Sequence, residues 1–122
     1  MDSITALKEY LKTSFKGDVD ESDATLTKVS HDASLLEVRP KIVLYPKNAE
    51  DVKVVVHFVR VHKEAYPDLS VTVRSAGTCM AGGPLNDSII LDVTRYMHGI
   101  EALSKTEATV LPGTYYRDFE PE

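Results

Sequence analysis

The sequence predicts an α+β fold with a mixed β-sheet that contains one β-α-β unit. Three observations lead to this fold class. A continuous apolar run at 42–45, bracketed by prolines, predicts a short buried strand. Apolar residues at helical spacing follow over 49–65, and a second β-branched run begins at Val71. Two strands joined by one helix allow a right-handed crossover, whereas the later strands predict a meander-like arrangement.

Two N-terminal segments precede the first of these strands. Residues 3–13 predict a short amphipathic helix with Ser3 as its N-cap and apolar residues on one face. The acidic stretch 17–23 predicts a loop. A calcium site is an alternative for this stretch, but it lacks the central glycine and the closing glutamate of a helix-loop-helix site. A solvated loop is therefore the preferred interpretation.

The helix at 49–65 carries start and stop signals. Asn48 is the expected N-cap, and Glu50 and Asp51 place carboxylates in the first turn, where they complement the helix dipole. Pro67 marks the end of the helix. Because the apolar face is rich in valine, which lowers helix propensity, packing must hold this helix in place.

Glycine and proline punctuate the second half of the chain. A glycine-rich segment at 74–84 separates two short strands, and a Pro-Gly turn closes a later hairpin. The predicted elements are strands at 71–73 and 88–93 and a hairpin formed by 100–104 and 107–111, followed by Pro112-Gly113.

Composition limits the classes of function. The chain has 122 residues, 43% hydrophobic and 27% charged, which is typical of one globular domain or a large piece of one. A net charge of −5 offers no electrostatic footprint for nucleic acid, so we expect no nucleic-acid partner. The most apolar stretch, 52–61, is short and broken by charged residues, which predicts no membrane span. The single cysteine and the absence of a signal-peptide pattern at the start predict a cytoplasmic protein.

The glycine-rich segment 74–84 is the part of the sequence that indicates chemistry. It contains three of the six glycines, and small residues let consecutive backbone N–H groups converge on an anion. The hydroxyls of Ser75 and Thr78 add further donors. The segment has neither the Gly-Lys-Ser/Thr of a Walker loop nor the glycine spacing of a Rossmann fingerprint. A long surface turn is the alternative, and the flanking strands favour the anion site.

Several segments together resemble a known family. They are Pro40 to Pro46, Asn48 to Val52, Val71 to Thr78 with Ala81-Gly82-Gly83, Ile89 to Met97, and Val110 to Gly113. In this order they resemble the N-terminal half of the PCMH-type FAD-binding domain of the vanillyl-alcohol-oxidase-type flavoproteins. Within that group they are most similar to the D-lactate dehydrogenases and the glycolate oxidase FAD subunit. His31-Asp32-Ala33-Ser34 resembles a short D-x-S segment of the same family.

This resemblance implies a division of the chain. Residues 1–27 would form an N-terminal helix and an acidic loop, and residues 28–122 the N-terminal half of the FAD-binding domain. The fold class is then the first subdomain of a PCMH-type domain, and the chain is expected to be a fragment of a longer enzyme. The catalytic residues would lie outside the chain, so they are unknown.

The resemblance also implies the cofactor and its site. FAD would be bound non-covalently, since Thr78 stands where some relatives carry the histidine that attaches flavin. Ser75 replaces the usual glycine, and Cys79 and Met80 replace the usual small residues, which backbone contacts tolerate. Arg74 either reaches a phosphate or pairs with a local carboxylate. The implied cofactor-binding residues are Arg74, Ser75, Ala76, Gly77, Thr78, Cys79, Met80, Gly82, Gly83, Pro112 and Gly113.

The function implied is a flavin-dependent oxidoreductase that oxidises a 2-hydroxy acid such as D-lactate or glycolate. A stand-alone nucleotide- or anion-binding module without catalysis is the alternative from another class. A cell-wall precursor reductase or a molybdenum-hydroxylase flavin subunit is a third, against which the Arg-x-x-Gly-Thr and Ala-Gly-Gly pattern argues. A reactive thiolate at Cys79 has no visible partner base, so a small residue lining the loop is preferred. The four histidines are scattered along the chain, and no metal site is predicted.

Overall fold

The computed structural model describes residues 2–119, and it has the predicted α+β fold with a mixed sheet. The elements in chain order are α1 (Ser3–Ser14), β1 (Asp18–Asp20), α2 (Asp23–Lys28), β2 (Ile42–Tyr45), α3 (Ala49–His62), β3 (Val71–Arg74), β4 (Ile89–Asp92), β5 (Ile100–Leu103), β6 (Ala108–Val110) and α4 (Tyr116–Phe119). Strands β1 to β4 form one four-stranded sheet, and β5 and β6 form a separate antiparallel hairpin, as predicted. The last three residues of the predicted domain 28–122, residues 120–122, lie outside the described residues.

The order of strands in the sheet is β1-β2-β4-β3. The predicted β-α-β unit is β2-α3-β3, but β4 lies between its two strands and pairs in parallel with both. Ile42 is opposite Ile89, and Arg74 is opposite Asp92. The expectation of a meander after Val71 is therefore wrong for β3 and β4. Parallel neighbours require the connecting loop to return along the sheet, so the glycine-rich segment crosses from one end of the sheet to the other.

Both faces of the central strands are buried. Helices α1 and α3 cover one face, where Leu7 and Phe58 pack against the side chains of β2 and β4. Leu26 of α2 and Val29 cover the other face. A strand covered on two sides is apolar at every position, which explains the uninterrupted run in β2.

The helix caps agree in part with the prediction. Asn48 caps α3, because its side-chain oxygen accepts the Asp51 N–H at 3.0 Å. The prediction of Ser3 as the cap of α1 is wrong by one residue. Asp2 occupies that position and accepts the Thr5 N–H at 2.8 Å, while Ser3 is buried in the first turn. Helix α3 ends at His62, three residues before the predicted boundary.

The acidic stretch 17–23 is a strand and a helix start rather than a loop. Strand β1 pairs antiparallel with β2, where Val19 is opposite Leu44. The carboxylate of Asp20 accepts the Ser22 N–H at 2.8 Å and the Thr25 hydroxyl at 2.7 Å. The Asp20 carboxylate therefore stabilises the N-terminus of α2, whose N-cap is Ser22. The strand was missed because backbone pairing with a sheet edge leaves no apolar signal in a three-residue element.

Candidate cofactor site

The glycine-rich loop, defined here as residues 75–83, leaves β3 at the carboxyl end of the parallel strands. Ligands in open α/β sheets bind at this end. Gly77 and Gly82 have φ angles of +72° and +83°, a region that glycine adopts without strain. Within residues 2–119, the backbone N–H groups of 76–80 donate to no protein acceptor. These donors are available to an anion.

The side chain of Arg74 is buried against the glycine-rich loop. The side chain is only 9% exposed, and its Nη1 donates to the Val29 carbonyl oxygen at 3.2 Å. Its guanidinium also lies against Gly77, where a Cβ would come within 2.3 Å of Nη2. The sequence leaves two partners open for Arg74, a phosphate or a local carboxylate. In the structure its hydrogen bond goes to a backbone carbonyl and not to a carboxylate. Its positive charge lies next to the free N–H groups, which favours an anion at the loop.

A hydrogen bond joins the loop to the Pro-Gly turn. The Ser75 hydroxyl donates to the Pro112 carbonyl oxygen at 3.0 Å. Gly113 is held by a hydrogen bond from its N–H to the Met97 carbonyl at 2.7 Å, and a Cβ there would lie 2.0 Å from the Val93 oxygen. The structure therefore brings together the two segments, distant in sequence, that were predicted to share one site.

The far end of the loop contains Cys79 to Gly83. Thr78, Cys79 and Met80 are exposed. The Cys79 sulfur accepts the Ala81 N–H at 3.4 Å, and a Cβ at Gly83 would lie 3.3 Å from the same sulfur. Gly83 therefore lets the loop fold back on Cys79. The assignment of these residues to cofactor binding stays a prediction.

A polar cavity of about 190 Å³ adjoins the start of the loop. It lies where β2, β3 and β4 end, and Arg74, Ser75 and Ala76 line one side of it. The sequence prediction missed several lining residues, which are Thr25, Lys28, Tyr45, Asp92, Thr94 and Arg95. Besides Arg74, the cations Lys28 and Arg95 line the cavity together with the carboxylate of Asp92. The lining therefore has a net positive charge, which favours an anion. The sequence did contain one signal for this cavity, since Arg95 follows closely after the predicted strand at 88–93.

Arg95 is fixed by two neighbours. Its guanidinium stacks on the Tyr45 ring at 3.6 Å, and its Nη1 lies 3.0 Å from Oδ2 of Asp18. The same carboxylate oxygen accepts the Tyr96 hydroxyl at 2.5 Å. The Tyr96 hydrogen bond, followed by that of Arg95, lowers the pKa of Asp18, whereas burial raises the pKa of Tyr45. These contacts tie β1 and β2 to the rim of the cavity.

These features fit the pyrophosphate of a dinucleotide. The loop offers unpaired backbone donors, two glycines at positive φ and an underlying guanidinium. The sequence profile described as an FAD binding domain matches residues 40–122. The chain belongs to this FAD-binding domain family. The predicted resemblance to PCMH-type FAD-linked oxidases is thereby confirmed.

Characterised relatives of this FAD-binding domain are dehydrogenases. The D-2-hydroxyglutarate dehydrogenase of Escherichia coli K12 is 32% identical over 104 residues, which cover 85% of this chain and 10% of that protein. The mitochondrial D-lactate dehydrogenase [cytochrome] of Kluyveromyces lactis is 34% identical over 119 residues, which cover 89% and 19%. The chain thus spans about a tenth to a fifth of the length of these relatives.

Solved structures share the fold of the domain. Alkyldihydroxyacetonephosphate synthase matches with a TM-score of 0.77 at 15% identity, over 99% of this chain and 24% of that one. p-Cresol methylhydroxylase matches with a TM-score of 0.77 at 17% identity, over 97% and 24%. At these identities the likeness establishes the fold of the FAD-binding domain and nothing more specific.

Two further features concern residues 2–119. In that range no helix combines the length and the apolar character needed to cross a membrane. No three His, Cys, Asp or Glu side chains in the same range come together in a way that would hold a metal ion. The prediction of no metal stays a prediction for the whole protein.

Proposed function

We propose that this chain is the FAD-binding portion of a longer oxidoreductase that oxidises a 2-hydroxy acid, such as D-lactate or glycolate. Residues 28–122 would form the N-terminal half of the FAD-binding domain, and residues 1–27 would precede it. The observation that carries the proposal is that the N–H groups of 76–80 donate to no acceptor in the described part of the chain, because such donors can bind the negative charge of a pyrophosphate. The substrate class rests on the two relatives named for D-2-hydroxyglutarate and D-lactate.

The chain's own residues would bind and orient the cofactor. The backbone of the loop would hold the pyrophosphate, with Arg74 supplying positive charge from below and the Thr78 hydroxyl a further donor. The Pro112-Gly113 turn, joined to Ser75, would form a second side of the site. FAD, when bound, supplies the capacity to accept two electrons from the substrate. Since Thr78 cannot form the histidyl link of some relatives, binding through this loop would be non-covalent.

The protein expressed from its complete reading frame provides the test. Purified protein should carry a flavin that absorbs at ~450 nm, since this absorption is a property of the cofactor itself. Acid precipitation should release all of that flavin into the supernatant if binding is non-covalent. Flavin that stays in the pellet would contradict the non-covalent assignment. Protein that binds ADP but no flavin would instead support the stand-alone nucleotide-binding module.

The substrate class needs a separate measurement. D-lactate, glycolate and D-2-hydroxyglutarate should each be added under anaerobic conditions without any electron acceptor, and the bleaching of the bound flavin followed. We expect one of them to reduce the flavin and L-lactate to do so more slowly. Reduction by none of the 2-hydroxy acids, in protein that holds FAD, would overturn the substrate class and leave the cofactor assignment intact.

A further inference from the structure

A short segment at 31–36 packs against the glycine-rich loop. We call residues 31–36 the support segment. Its ends are closed by a β-bridge between His31 and Glu37. A hydrogen bond from the Val38 N–H to the Ser30 carbonyl at 3.0 Å closes it further. The segment is therefore a compact turn rather than a free strand.

The support segment contacts the loop at two points. The Ala33 N–H donates to the Cys79 carbonyl oxygen at 2.9 Å. The Leu36 side chain lies against Gly82, where a Cβ would come within 2.7 Å of Leu36 Cδ1. A side chain at position 82 would clash with the support segment, so the glycine allows the close approach as well as the positive φ.

Asp32 is held rigidly within this segment. Its Oδ1 accepts the Ser34 N–H at 2.8 Å and the Ser34 hydroxyl at 2.5 Å. Its Oδ2 is buried and, within residues 2–119, accepts no hydrogen bond. A buried carboxylate oxygen without a partner is costly, so a strong interaction must offset this cost.

The carboxylate of Asp32 is stabilised in its ionised form. The pKa of Asp32 lies below its ordinary value, first because the Ser34 hydroxyl donates to it, and the positive charge of Arg74 lowers it further. The carboxylate is therefore anionic at neutral pH. Because Oδ2 of Asp32 is shielded from solvent, this oxygen does not face the space that is open to a ligand.

We propose that Asp32 is a positioning residue for FAD binding, which keeps the support segment folded against the far end of the glycine-rich loop. The inference rests on the proposed function. The two hydrogen bonds from Ser34 to the Asp32 carboxylate keep the turn closed. That turn contacts Cys79 through the Ala33 N–H and Gly82 through the Leu36 side chain, and it thereby fixes the end of the loop that follows the free N–H groups. Asp32 itself does not touch the cofactor.

The test is the FAD affinity of Asp32→Asn in the protein from the complete reading frame. Asparagine keeps the size of the side chain and removes its charge. We expect the dissociation constant of FAD, measured by quenching of flavin fluorescence, to rise about tenfold, because the two Ser34 donors then bond to a neutral oxygen instead of a carboxylate and the turn loosens. The amount of FAD bound at saturation should equal that of the wild type. Amide hydrogen exchange in the apo-protein should accelerate at Ala33, whose N–H donates to the Cys79 carbonyl oxygen.

Asp68→Asn is the matched control. Asp68 is a surface aspartate paired with Lys41 at 3.0 Å, and it precedes β3, at the opposite end of the sheet from the loop. It should leave the FAD dissociation constant unchanged. If Asp32→Asn fails to fold, Ser34→Ala removes the hydroxyl that fixes Oδ1, and we expect about a threefold rise in the dissociation constant.

The outcomes separate the two proposals. If the wild type binds no FAD, the proposed function fails. If the wild type binds FAD and both Asp32→Asn and Ser34→Ala bind it equally well, the positioning role of Asp32 is overturned while the function stands. A variant that binds less FAD at saturation with an unchanged dissociation constant has a folding defect, and this result also overturns the positioning role.

Discussion

The guanidinium of Arg74 and the backbone of Gly77 are in direct contact. A Cβ placed on Gly77 would come within 2.3 Å of Nη2 and 2.7 Å of Cζ of the arginine. Because Gly77 also has a φ of +72°, two independent constraints require glycine at this position. The last residue of β3 thus sets the path of the loop that follows it.

Substitution of Gly77 by alanine should disrupt the loop. We expect Gly77→Ala to lower the free energy of unfolding by about 1–3 kcal/mol, since a non-glycine residue at positive φ is strained. The FAD dissociation constant should rise at least about tenfold, because the displaced arginine shifts the backbone donors. Fluorescence titration and urea unfolding measure the two effects.

Gly99→Ala provides the comparison for that variant. Gly99 has a φ of +124°, but no atom lies within 4 Å of a Cβ built there. This variant should be destabilised by backbone strain alone, so its loss in the free energy of unfolding should be smaller than that of Gly77→Ala. An equal loss in both variants would show that strain alone, rather than the contact with Arg74, is responsible.

The hydrogen bond between Ser75 and Pro112 should couple the two halves of the site. Ser75→Ala removes a donor to the Pro112 carbonyl at 3.0 Å. We expect the FAD dissociation constant to rise about threefold, as for the loss of one neutral hydrogen bond. Ser104→Ala, which removes a similar bond to the Glu107 carbonyl in the β5–β6 turn, is the control and should have no effect on FAD. An unchanged affinity in Ser75→Ala would mean that the turn binds independently of the loop.

The elements that the sequence predicted correctly depend on local signals. Asn48 and the first-turn carboxylates mark the start of α3, and the apolar run between two prolines marks β2. Strand β1 and the central position of β4 could not be predicted, because both depend on pairing between residues distant in sequence. A polar three-residue strand has no periodic pattern of its own.

The candidate site divides in the same way. The glycine-rich loop was recognisable from its composition and from the family resemblance. Its contacts with Ala33 and Leu36, and the contribution of Lys28 and Arg95 to the cavity, arise only when the chain folds. The family resemblance included the segment at 31–34 without giving a reason for it, and the contact of Ala33 with Cys79 supplies one.

Asp51 should contribute strongly to stability. This residue is 2% exposed, and its two carboxylate oxygens accept the Lys16 N–H at 3.0 Å and the Lys47 N–H at 2.9 Å. Asp51→Asn turns one oxygen into an NH₂ group, which faces a donor and leaves it unpaired. We expect a loss of about 1–3 kcal/mol in the free energy of unfolding, measured with urea. Glu50→Gln, on the exposed side of the same turn, should change it by less than about 0.5 kcal/mol, and a similar loss in both would refute the role of the buried bonds.

Asp18 should make stability depend on pH in the acid range. The Tyr96 hydroxyl and then Arg95 lower its folded-state pKa below the value in the unfolded chain. A depressed pKa contributes stability that is fully present above the unfolded-state pKa and is lost as the pH falls through the folded-state pKa. The thermal midpoint of the wild type should therefore exceed that of Asp18→Asn at neutral pH, and the difference should shrink as the solution is made strongly acidic. Asp87→Asn is the control, since Asp87 is exposed and within residues 2–119 forms no ion pair. A difference between the wild type and Asp18→Asn that stays constant with pH would show that the stabilisation does not come from the charge of Asp18.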